Sequence, residues 1–452
     1  MDVEILRTEG LGDRTYVVHN GHVAIVVDPQ RDIDRVEKLV ADLGVTLAAV
    51  VETHIHNDYV TGGFALAQRS GARYLVSADD SVSFHRVPVS DGDEMIFGSL
   101  HLRALKTPGH TPNRLSYVIR DARRPDQSPA VFTGGSLLYG SVGRTDLVDP
   151  AQTLTLTGLQ YQSVRRLGDV LPDDTPVFPT HGFGSFCSAG ETAPDDRSTI
   201  GREKIRNDVF TAADEQSFIE KLLENITPYP AYYAHMAPLN LAGPALPDLS
   251  APEPVSPAEL RRRLREGEWI VDVRSRKAFA ANHIDGSVSI ELGDQSAIYL
   301  GWILPWGSPI TLIGESPSDV AAVQRQLARI GIDHLAGAAA GPFDEISAGL
   351  GHSSYPSVDF AHVPATLGDD DVILDVRRAD ERVRGHIPGS LHIPLTELLD
   401  RIDELPQARL WVHCGSGFRA GIAASLLDRA LRSVVHIDDF YANAANRGRD
   451  VS

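Results

Sequence analysis

The sequence is poor in cysteine, in basic residues and in long apolar runs, and each shortage excludes a class of protein. Only two of the 452 residues are cysteines, Cys187 and Cys414, so no disulfide framework holds the chain together. Lys and Arg total 42 against 61 Asp and Glu, which gives a formal net charge of −19. A surface this acidic repels phosphate backbones and anionic lipid, so we expect no nucleic-acid partner and no membrane partner.

Two further absences bear on location. No apolar run approaches the roughly 18–20 residues of a membrane span, and Met1–Glu4 lacks the basic segment of a secretory signal. We therefore expect a cytoplasmic protein.

Hydrophobic residues make up 42% of the chain and charged residues 23%, the balance of an ordinary globular protein. At about 150 residues per domain, the length predicts about three domains.

Prolines are dense between Ala237 and Pro257, where they oppose regular helix and mark a domain boundary. We predict a first domain over residues 1–245 and a Pro-rich linker over residues 246–257. Strands and helices are predicted to alternate in the first domain, beginning with a strand over Val23–Val27, a helix over Ile33–Leu43 and a strand over Leu47–Glu52.

An internal repeat occupies the rest of the chain. Residues 269–274 (WIVDVR) recur as residues 372–377 (VILDVR), and the same shift of 103 relates His283 to His386. Each copy opens with an apolar, β-rich run, which predicts a parallel sheet with helices on its faces. We therefore predict two copies of one α/β domain, over residues 258–353 and 358–452.

The second copy places a cysteine at the start of a tight loop. Residues 410–419 (LWVHCGSGFR) predict a strand, a short loop and then a helix over Ala420–Leu431. Successive loop amides can converge into an anion-binding nest, to which the helix N-terminus and Arg419 add positive charge. This environment suits a thiolate or a persulfide anion at Cys414, whereas the alternative is an inert buried cysteine. The amides are those of Gly415, Ser416, Gly417 and Phe418.

Three motifs of this copy resemble the rhodanese (sulfurtransferase) family: Asp375–Arg377, Gly385–Gly389 and the Cys414-x4-Arg419 loop. The length of the loop is similar to that of sulfane-sulfur enzymes, since the loop of the related phosphatases is one residue longer. The resemblance implies that Cys414 carries sulfane sulfur as a persulfide, which the loop amides and Arg419 stabilise. Asp375, Arg377 and His386 match supporting positions of the family.

The first copy lacks this chemistry. Gly314 stands at the place of the nucleophile and Asp319 at the place of the arginine, and Glu315 adds a second acidic side chain to the loop. Two carboxylates would repel an anion. We predict an inactive rhodanese-like domain that is retained for packing or for orienting its neighbours.

Histidines follow several predicted strands of the first domain. His54 and His56 come after the strand that ends at Glu52, and alternation places both imidazoles on one side. His110 and His181 also follow apolar strands. Four histidines in strand-end loops, two of them at H-x-H spacing, predict a metal site rather than unrelated surface or packing residues.

This histidine set resembles the metallo-β-lactamase fold over about residues 1–245, in particular its glyoxalase II and persulfide dioxygenase branches. The resemblance implies an αββα sandwich. It maps the family's H-x-H-x-D-H motif onto His54 through Tyr59, with Asp58 in place and the last histidine replaced. It maps the family's bridging aspartate onto Gly135. Other matching residues are Asp28, Arg144, Asp146, Asn240 and Gly243.

The two replaced ligands argue against a two-metal hydrolase. The resemblance to persulfide dioxygenases implies instead one ferrous ion, which those enzymes hold with two histidines and a carboxylate. Here His54 and His110 can supply the histidines, and His56 can complete a three-histidine site, while Asp58 and His181 are further candidate ligands. The resemblance favours one Fe(II) per chain. Zn and no metal stay open, because Gly135 cannot supply a carboxylate.

Cys187 lies six residues after His181 in the segment HGFGSFC. One interpretation is a small buried hydrophobe. The other is a thiol near the pocket that relays a persulfide. The second is favoured by a resemblance to the fused persulfide dioxygenase–sulfurtransferases of bacterial sulfide detoxification.

The leading hypothesis is a sulfane-sulfur enzyme. The first domain would oxidise a low-molecular-weight thiol persulfide with O2 to sulfite, and Cys414 would transfer sulfane sulfur, forming thiosulfate. One alternative is a sulfurtransferase with a metal-poor N-terminal binding or scaffold domain, and another is a zinc thioester hydrolase of glyoxalase II type. The expected partners are small molecules, namely persulfide, O2 and sulfite or thiosulfate, and the family resemblance favours a homo-oligomer.

Overall fold

The computed structural model describes residues 1–190, 196–364 and 366–445. The chain divides into two compact units. The first comprises Met1–Asp248 and Ala328–Gly331, and the second comprises Leu249–Leu327 and Ile332–Ser452. Residues 446–452 of the predicted last domain lie outside the described residues.

The first unit alternates strands and helices as its sequence predicts. Its elements are β1 (Asp2–Thr8), β2 (Asp13–His19), β3 (Val23–Val27), α1 (Asp34–Leu43), β4 (Thr46–Val51), α2 (Gly63–Ser70), β5 (Arg73–Ser77), β6 (Val87–Val89), β7 (Glu94–Phe97), β8 (Leu100–Lys106), β9 (Leu115–Asp121), β10 (Ala130–Gly134), α3 (Thr153–Val170), β11 (Pro176–Pro179), β12 (Ser198–Thr199), α4 (Ile200–Arg206), α5 (Asp208–Thr211), α6 (Glu215–Glu224) and α7 (Tyr233–Ala242), with a 3-10 turn over Pro150–Gln152.

Two six-stranded sheets form the centre of this unit, in the orders β1-β2-β3-β4-β5-β6 and β12-β11-β10-β9-β8-β7. Their facing sides share a core that includes Tyr16, Val27, Leu102 and Phe132. A second cluster joins the first sheet to α1 and α2, and a third joins the second sheet to α3 through α6. Helices therefore cover both outer faces, and the predicted αββα sandwich is confirmed.

Helix α7 corrects the expectation that regular helix stops at Ala237. The helix continues through Pro238 to Ala242, and Gly243 then ends it in the left-handed conformation with φ +81°. Asn240 stabilises this last turn, because its side-chain amide donates to the carbonyl oxygens of His56 and Tyr59, each at 2.9 Å. The helix end is thereby tied to the histidine loop, which offsets the backbone hydrogen bond lost at the proline.

The second unit consists of shorter elements. They are α8 (Pro257–Arg265), β13 (Trp269–Asp272), α9 (Arg276–Ala281), β14 (His283–Ile284), β15 (Val288–Ser289), α10 (Ser296–Ile303), β16 (Ile310–Gly314), α11 (Pro317–Arg329), β17 (Leu335–Ala340), α12 (Phe343–Ile346), β18 (His352–Ser353), β19 (Ser357–Val358), β20 (Asp371–Asp375), α13 (Ala379–Val383), β21 (Leu391–His392), α14 (Leu398–Arg401), β22 (Arg409–His413), α15 (Phe418–Arg429), β23 (Val434–Ile437) and α16 (Ala442–Ala445), with 3-10 turns over Phe360–His362, Leu395–Glu397 and Ile402–Glu404.

Each repeat copy builds one parallel sheet, as the apolar runs predict. The first has the strand order β15-β13-β16-β17 and the second β19-β23-β22-β20-β21, with every pairing parallel. Among the described helices of the whole chain, none is both long and apolar enough to cross a bilayer.

Helix α15 connects the two copies within this unit. It is buried continuously from Ala420 to Leu427, because it packs against β22 and β23 of its own copy and against α9 and β15 of the first. The hydroxyl of Ser425 accepts a hydrogen bond from the backbone N–H of Ser289 at 3.0 Å. The N-terminus of this doubly covered helix follows the Cys414 loop.

Candidate metal centre and sulfur-transfer site

The histidines of the first unit meet at the carboxyl ends of strands from both sheets. His54 follows β4, whereas His110 and His181 follow β8 and β11. All three are buried. Strand ends that face one another across the sandwich deliver these side chains to one point, although 127 residues separate the first from the last.

The Nε2 atoms of these three histidines converge. The Nε2 atoms of His54 and His181 lie 3.3 Å apart, and His110 joins them in a group whose ligand atoms all lie within 4.8 Å of one another. Within the described residues, the buried Nε2 of His110 has no hydrogen-bond partner. Three imidazole nitrogens arranged in this way can hold a metal ion.

Each of the three rings is fixed through its other nitrogen. The Nδ1 contacts are Thr53 Oγ1 at 2.8 Å for His54, the carbonyl oxygen of Arg144 at 2.6 Å for His110, and Asp13 Oδ1 at 2.8 Å for His181. The hydroxyl of Thr53 donates its own proton to Asp28 at 2.7 Å, so it accepts from the ring. Contacts that hold the Nδ1 atoms in this way direct the three Nε2 atoms towards one point, as in histidine-metal sites with oriented ligands.

Gly135 leaves no room for a side chain. A Cβ atom at this position would lie 2.7 Å from Cδ2 of His110 and 3.0 Å from Cδ2 of His181. The two rings therefore occupy the space beside Gly135, the residue that the resemblance aligns with the family's bridging aspartate.

His56 has different neighbours. Its Nε2 lies 2.9 Å from the hydroxyl of Tyr59, 3.3 Å from Glu52 Oε2 and 3.4 Å from Asp28 Oδ1. Its Nδ1 is buried without a hydrogen-bond partner among the described residues. His56 therefore lies outside the group of His54, His110 and His181, and instead forms an overlapping group with Asp58 and His181.

Burial and charge set the protonation of the cluster. Burial lowers the pKa of His54 and of His110 well below the usual value, which keeps both rings neutral. Burial alone would also lower the pKa of His181, but the carboxylates of Asp58 and Asp13 outweigh it and raise this pKa to about 10. Without a metal, His181 is a cation that donates its Nε2 proton to His54.

Asp28 holds the site loops together. It adopts φ +50°, an uncommon backbone for a residue other than glycine, and its carboxylate accepts from the backbone N–H and the hydroxyl of Thr53, each at 2.7 Å. It also accepts from the hydroxyl of Thr180, beside His181. One carboxylate thereby links the loops after β4 and β11, which assigns a positioning role to this family-matched residue.

Arg144 connects the His110 loop with the segment of Cys187. Its guanidinium makes a two-pronged ion pair with Asp146, both distances being 2.7 Å, and its backbone N–H donates to the carbonyl of Cys187 at 2.9 Å. The Cys187 thiol is fully buried, with the hydroxyl of Tyr233 at 3.9 Å. Burial raises the pKa of this thiol well above its usual value, so the resting group is neutral.

The Cys414 loop has the form of an anion nest. Gly417 adopts φ +86°, and a Cβ there would lie 2.2 Å from Asp438 Oδ1, so only glycine fits. Among the described residues, the amide N–H groups of Gly415, Ser416, Gly417 and Phe418 donate no hydrogen bonds. They remain available to an anionic sulfur at the buried Cys414.

Arg419 is held over this loop by an ion pair. Its two terminal nitrogens lie 2.6 and 2.7 Å from the carboxylate of Glu381 in α13. One of them would be 3.2 Å from a Cβ placed on Gly415. The carboxylate orients the guanidinium and also neutralises part of its charge.

Asp375 and Arg377 form a buried ion pair that holds the backbone at Gly385 in place. Asp375 accepts from Nε and Nη2 of Arg377 at 2.9 and 2.7 Å, and Arg377 also donates to the carbonyl of Gly385 at 2.8 Å. Asp272 and Arg274 repeat the pattern in the copy without the cysteine. His386 is half-buried and makes no side-chain hydrogen bond among the described residues.

The corresponding loop of the first copy is closed by its own side chain. The carboxylate of Asp319 accepts from the backbone N–H of Ser316 at 2.9 Å. A loop amide that would face an anion is thus used internally, and the carboxylate repels anions. This geometry supports the expectation that the first copy carries out no sulfur chemistry.

Sequence reasoning missed two residues that complete these sites, Asp13 beside His181 and Glu381 beside Arg419. Asp13 begins an ordinary strand, and Glu381 lies in a short surface helix with several other charged residues. Neither position carries a local motif. Only the tertiary fold brings each carboxylate to its partner.

Comparison with known proteins agrees with this geometry. The family of rhodanese-like domains matches residues 256–345 and 361–445. A metallo-β-lactamase from Staphylococcus aureus has a similar solved structure, with 26% identity and a TM-score of 0.68 over 75% of this chain and 99% of that one. The chain is thus a metallo-β-lactamase-fold protein with two rhodanese-like domains.

Relatives in sequence show which family of metallo-β-lactamase-fold proteins the chain is similar to. The human mitochondrial persulfide dioxygenase ETHE1 is 30% identical over 237 residues, which are 51% of this chain and 81% of the relative. A hydroxyacylglutathione hydrolase from Parasynechococcus marenigrum is 32% identical over 181 residues, 39% of this chain and 69% of the relative. The chain belongs to the family of the ETHE1 persulfide dioxygenases, and with its rhodanese-like domains it is an enzyme of sulfur metabolism.

Proposed function

We propose that the first unit oxidises a low-molecular-weight thiol persulfide with O2 at a mononuclear metal site, and that Cys414 then transfers sulfane sulfur to give thiosulfate. One persulfide, one O2 and one water give the thiol, sulfite and two protons, with sulfur oxidised and O2 reduced. The observation that carries this proposal is the convergence of three imidazole Nε2 atoms in a chain of the persulfide dioxygenase family.

We infer that His54, His110 and His181 would hold one ferrous ion. The unpartnered Nε2 of His110 and the rings that fill the space beside Gly135 both fit a three-histidine site. When bound, iron supplies open positions at which O2 and an anionic sulfur can be activated together. Zinc accepts the same ligands, so the identity of the metal has to be measured.

The surrounding residues fix the ligands. Thr53, the carbonyl of Arg144 and Asp13 hold the Nδ1 protons, and the Asp13 carboxylate makes its imidazole a stronger donor. The buried Nδ1 of His56 offers a further nitrogen, and the Asp58 carboxylate is within 3.1 Å of His181. Both remain candidate ligands in addition to the three histidines.

The second reaction is an exchange of sulfur–sulfur bonds. The Cys414 thiolate attacks the sulfane sulfur of a persulfide, a new S–S bond forms, and the carrier thiolate leaves with the electron pair of the old bond. Sulfite then takes the sulfane sulfur, which restores the Cys414 thiolate and releases thiosulfate. The loop amides and Arg419 would stabilise the anionic sulfur in both steps.

Gly135 favours a second candidate function, a sulfurtransferase whose N-terminal domain retains little metal. The loss of the anionic ligand removes one contribution to metal affinity. A zinc thioester hydrolase is a third candidate, since one relative is a hydroxyacylglutathione hydrolase. These functions differ in their need for O2 and in the metal that they require.

The decisive experiment is metal analysis of untagged protein purified without oxygen, followed by O2 uptake with glutathione persulfide and coenzyme A persulfide as separate substrates. Near-stoichiometric iron with persulfide-dependent O2 uptake and sulfite release is the expected result. Absence of metal together with sulfur transfer to cyanide would establish the transfer-only function. Zinc with thioester cleavage under nitrogen would establish the hydrolase.

We also propose Cys187 as a persulfide relay between the two reactions, a role that requires its buried thiol to become accessible during turnover. Cys187→Ser would then reduce thiosulfate formation from persulfide and O2, while O2 uptake and Cys414-dependent transfer to cyanide would each persist. If all three rates equal those of the unsubstituted protein, the relay does not exist.

A further inference from the structure

Tyr299, in the copy that lacks the cysteine, lies beside the Cys414 loop of the other copy. Its ring meets that of Phe418 edge-on, with the centroids 5.6 Å apart and the planes at 65°. Phe418 is the last residue of the loop before Arg419 and the first of α15. Through Tyr299, helix α10 of the first copy thus contacts the sulfur-transfer loop.

The hydroxyl of Tyr299 has no assigned structural role. The residue is only 8% exposed, and among the described residues its hydroxyl makes no hydrogen bond. The hydroxyl is therefore free to donate a hydrogen bond to a ligand in the site. Burial raises the pKa of Tyr299, and the charges that act on it most strongly are those of Arg419 and Cys414. It therefore remains a protonated donor beside the Cys414 loop.

The two copies are held together firmly enough for such a donor to be positioned. Arg276 of the first copy donates to Asp438 at 2.8 Å, and the same carboxylate packs against the backbone of Gly417. His283 of the first copy lies 3.0 Å from Asp428 of α15. The contacts of Ser289 with Ser425 and of His283 with Asp428 lie along α15, and the contact of Asp438 lies beside Gly417, so the first copy is held against the helix that follows the loop.

We propose that the cysteine-less copy completes the sulfur-transfer site, with the Tyr299 hydroxyl donating a hydrogen bond to the anionic sulfur-oxygen group of the compound that exchanges sulfur with Cys414. Thiosulfate and sulfite both carry such oxygens. Tyr299 is a positioning and specificity residue, because the bonds that form and break are those of Cys414. The proposal rests on the proposed sulfur-transfer function.

Binding without turnover gives the most direct test. In the full-length Cys414→Ser protein, thiosulfate binds but cannot pass on its sulfur, so titration calorimetry measures the dissociation constant alone. Tyr299→Phe keeps the ring contact with Phe418 and removes only the hydroxyl. We expect it to weaken thiosulfate binding about tenfold or more, the usual effect of losing a hydrogen bond to a charged group.

Tyr355→Phe is the matched control. Tyr355 is also a buried tyrosine of this unit whose hydroxyl lacks a partner among the described residues, but it packs against Phe279 and His283, away from the loop. This variant should bind thiosulfate unchanged. Equal weakening by both substitutions would overturn the proposal, since it would show a general loss of stability, and so would an unchanged affinity in Tyr299→Phe.

Kinetics separate this proposal from the function on which it rests. With Cys414 present, Tyr299→Phe should raise the KM for thiosulfate in sulfur transfer to cyanide, while kcat changes less than twofold. If sulfur transfer is active in the unsubstituted protein and its KM for thiosulfate is unchanged in Tyr299→Phe, the proposed role of Tyr299 is wrong but the proposed sulfur-transfer function stands. A protein with no Cys414-dependent transfer from any sulfane donor overturns the proposed function as well.

Discussion

The Nε2 atoms of His54 and His181 lie 3.3 Å apart, although the two residues follow strands of different sheets. Two unprotonated imidazole nitrogens repel each other at this distance, because each presents a lone pair. A proton or a cation must therefore lie between them. In the protein without metal, the proton is that of His181, which is retained by Asp13 and Asp58. A metal ion would take the place of this proton.

His181→Ala should therefore remove metal from the protein. Loss of one of three ligands is expected to reduce iron affinity by about a hundredfold or more, beyond the tenfold to hundredfold cost of losing a residue that only orients a ligand. Competition with a chromophoric chelator under nitrogen measures the affinity. His362→Ala, which changes an exposed histidine of the second unit, is the control. Full iron retention in His181→Ala would exclude His181 as a ligand.

The sequence predicted a histidine cluster in the first unit, and the assignment of each histidine as a ligand stays a prediction. Strand-end positions and the H-x-H spacing predicted that the four histidines lie together, as they do, because strand direction is a local property. The spacing also favoured His56 as the third member, yet His56 is drawn towards Glu52 and Tyr59. That preference depends on carboxylates and hydroxyls brought together by the tertiary fold, which no spacing records.

The repeat was predictable for a different reason. Matching segments at one offset required two copies of one parallel-sheet unit, and both sheets have that form. The contribution of the first copy to the Cys414 site was not predictable, because Tyr299 belongs to no motif shared by the two copies. Packing of α15 against both copies is what brings it there.

Gly135→Ala tests the close packing of the metal centre. The added methyl would lie within 3.0 Å of the His110 and His181 rings, so at least one ring must move. Overpacking of this kind costs about 1–3 kcal/mol, and it should lower both the melting temperature of the protein and its iron content. Gly190→Ala is a suitable control, because its nearest neighbour would be 3.6 Å away. Unchanged iron affinity in Gly135→Ala would show that the rings are free to adjust.

Glu381→Gln tests the charge balance of the sulfur-transfer site. The glutamine amide can still accept from Arg419, but it no longer neutralises the guanidinium, so the pocket becomes more positive. We expect the KM for thiosulfate to fall about threefold at low salt, with the difference disappearing at about 1 M salt because screening weakens the attraction. A rise in KM would mean that the carboxylate's main role is to orient Arg419.

Cys414→Ser should separate the two reactions. Transfer of sulfane sulfur to cyanide or sulfite should be abolished, since a hydroxyl neither ionises nor forms a persulfide under these conditions. Persulfide-dependent O2 uptake should continue, because the candidate metal ligands all lie in the first unit and Cys414 is not one of them. Product analysis by mass spectrometry should show sulfite in place of thiosulfate. Residual transfer in this variant would contradict the assignment of Cys414.

The second unit should lose stability at acid pH because of His413. Its side chain is fully buried and stacks on Tyr441 with the planes at 14°. Burial lowers the pKa of His413 from its usual value of about 6.5 to about 4. Between these values the unfolded chain binds the proton and the folded chain does not. The free energy of unfolding therefore falls as the pH drops from 6.5 to 4, by about 3 kcal/mol in total.

Tryptophan fluorescence can follow this loss selectively, because all four tryptophans, Trp269, Trp302, Trp306 and Trp411, lie in the second unit. Urea unfolding of the full chain should give a midpoint that falls with pH over this range. His413→Phe keeps a ring against Tyr441 and removes the titration, so its midpoint should fall less steeply. Parallel pH profiles for the two proteins would mean that His413 contributes nothing, and that other groups cause the acid sensitivity.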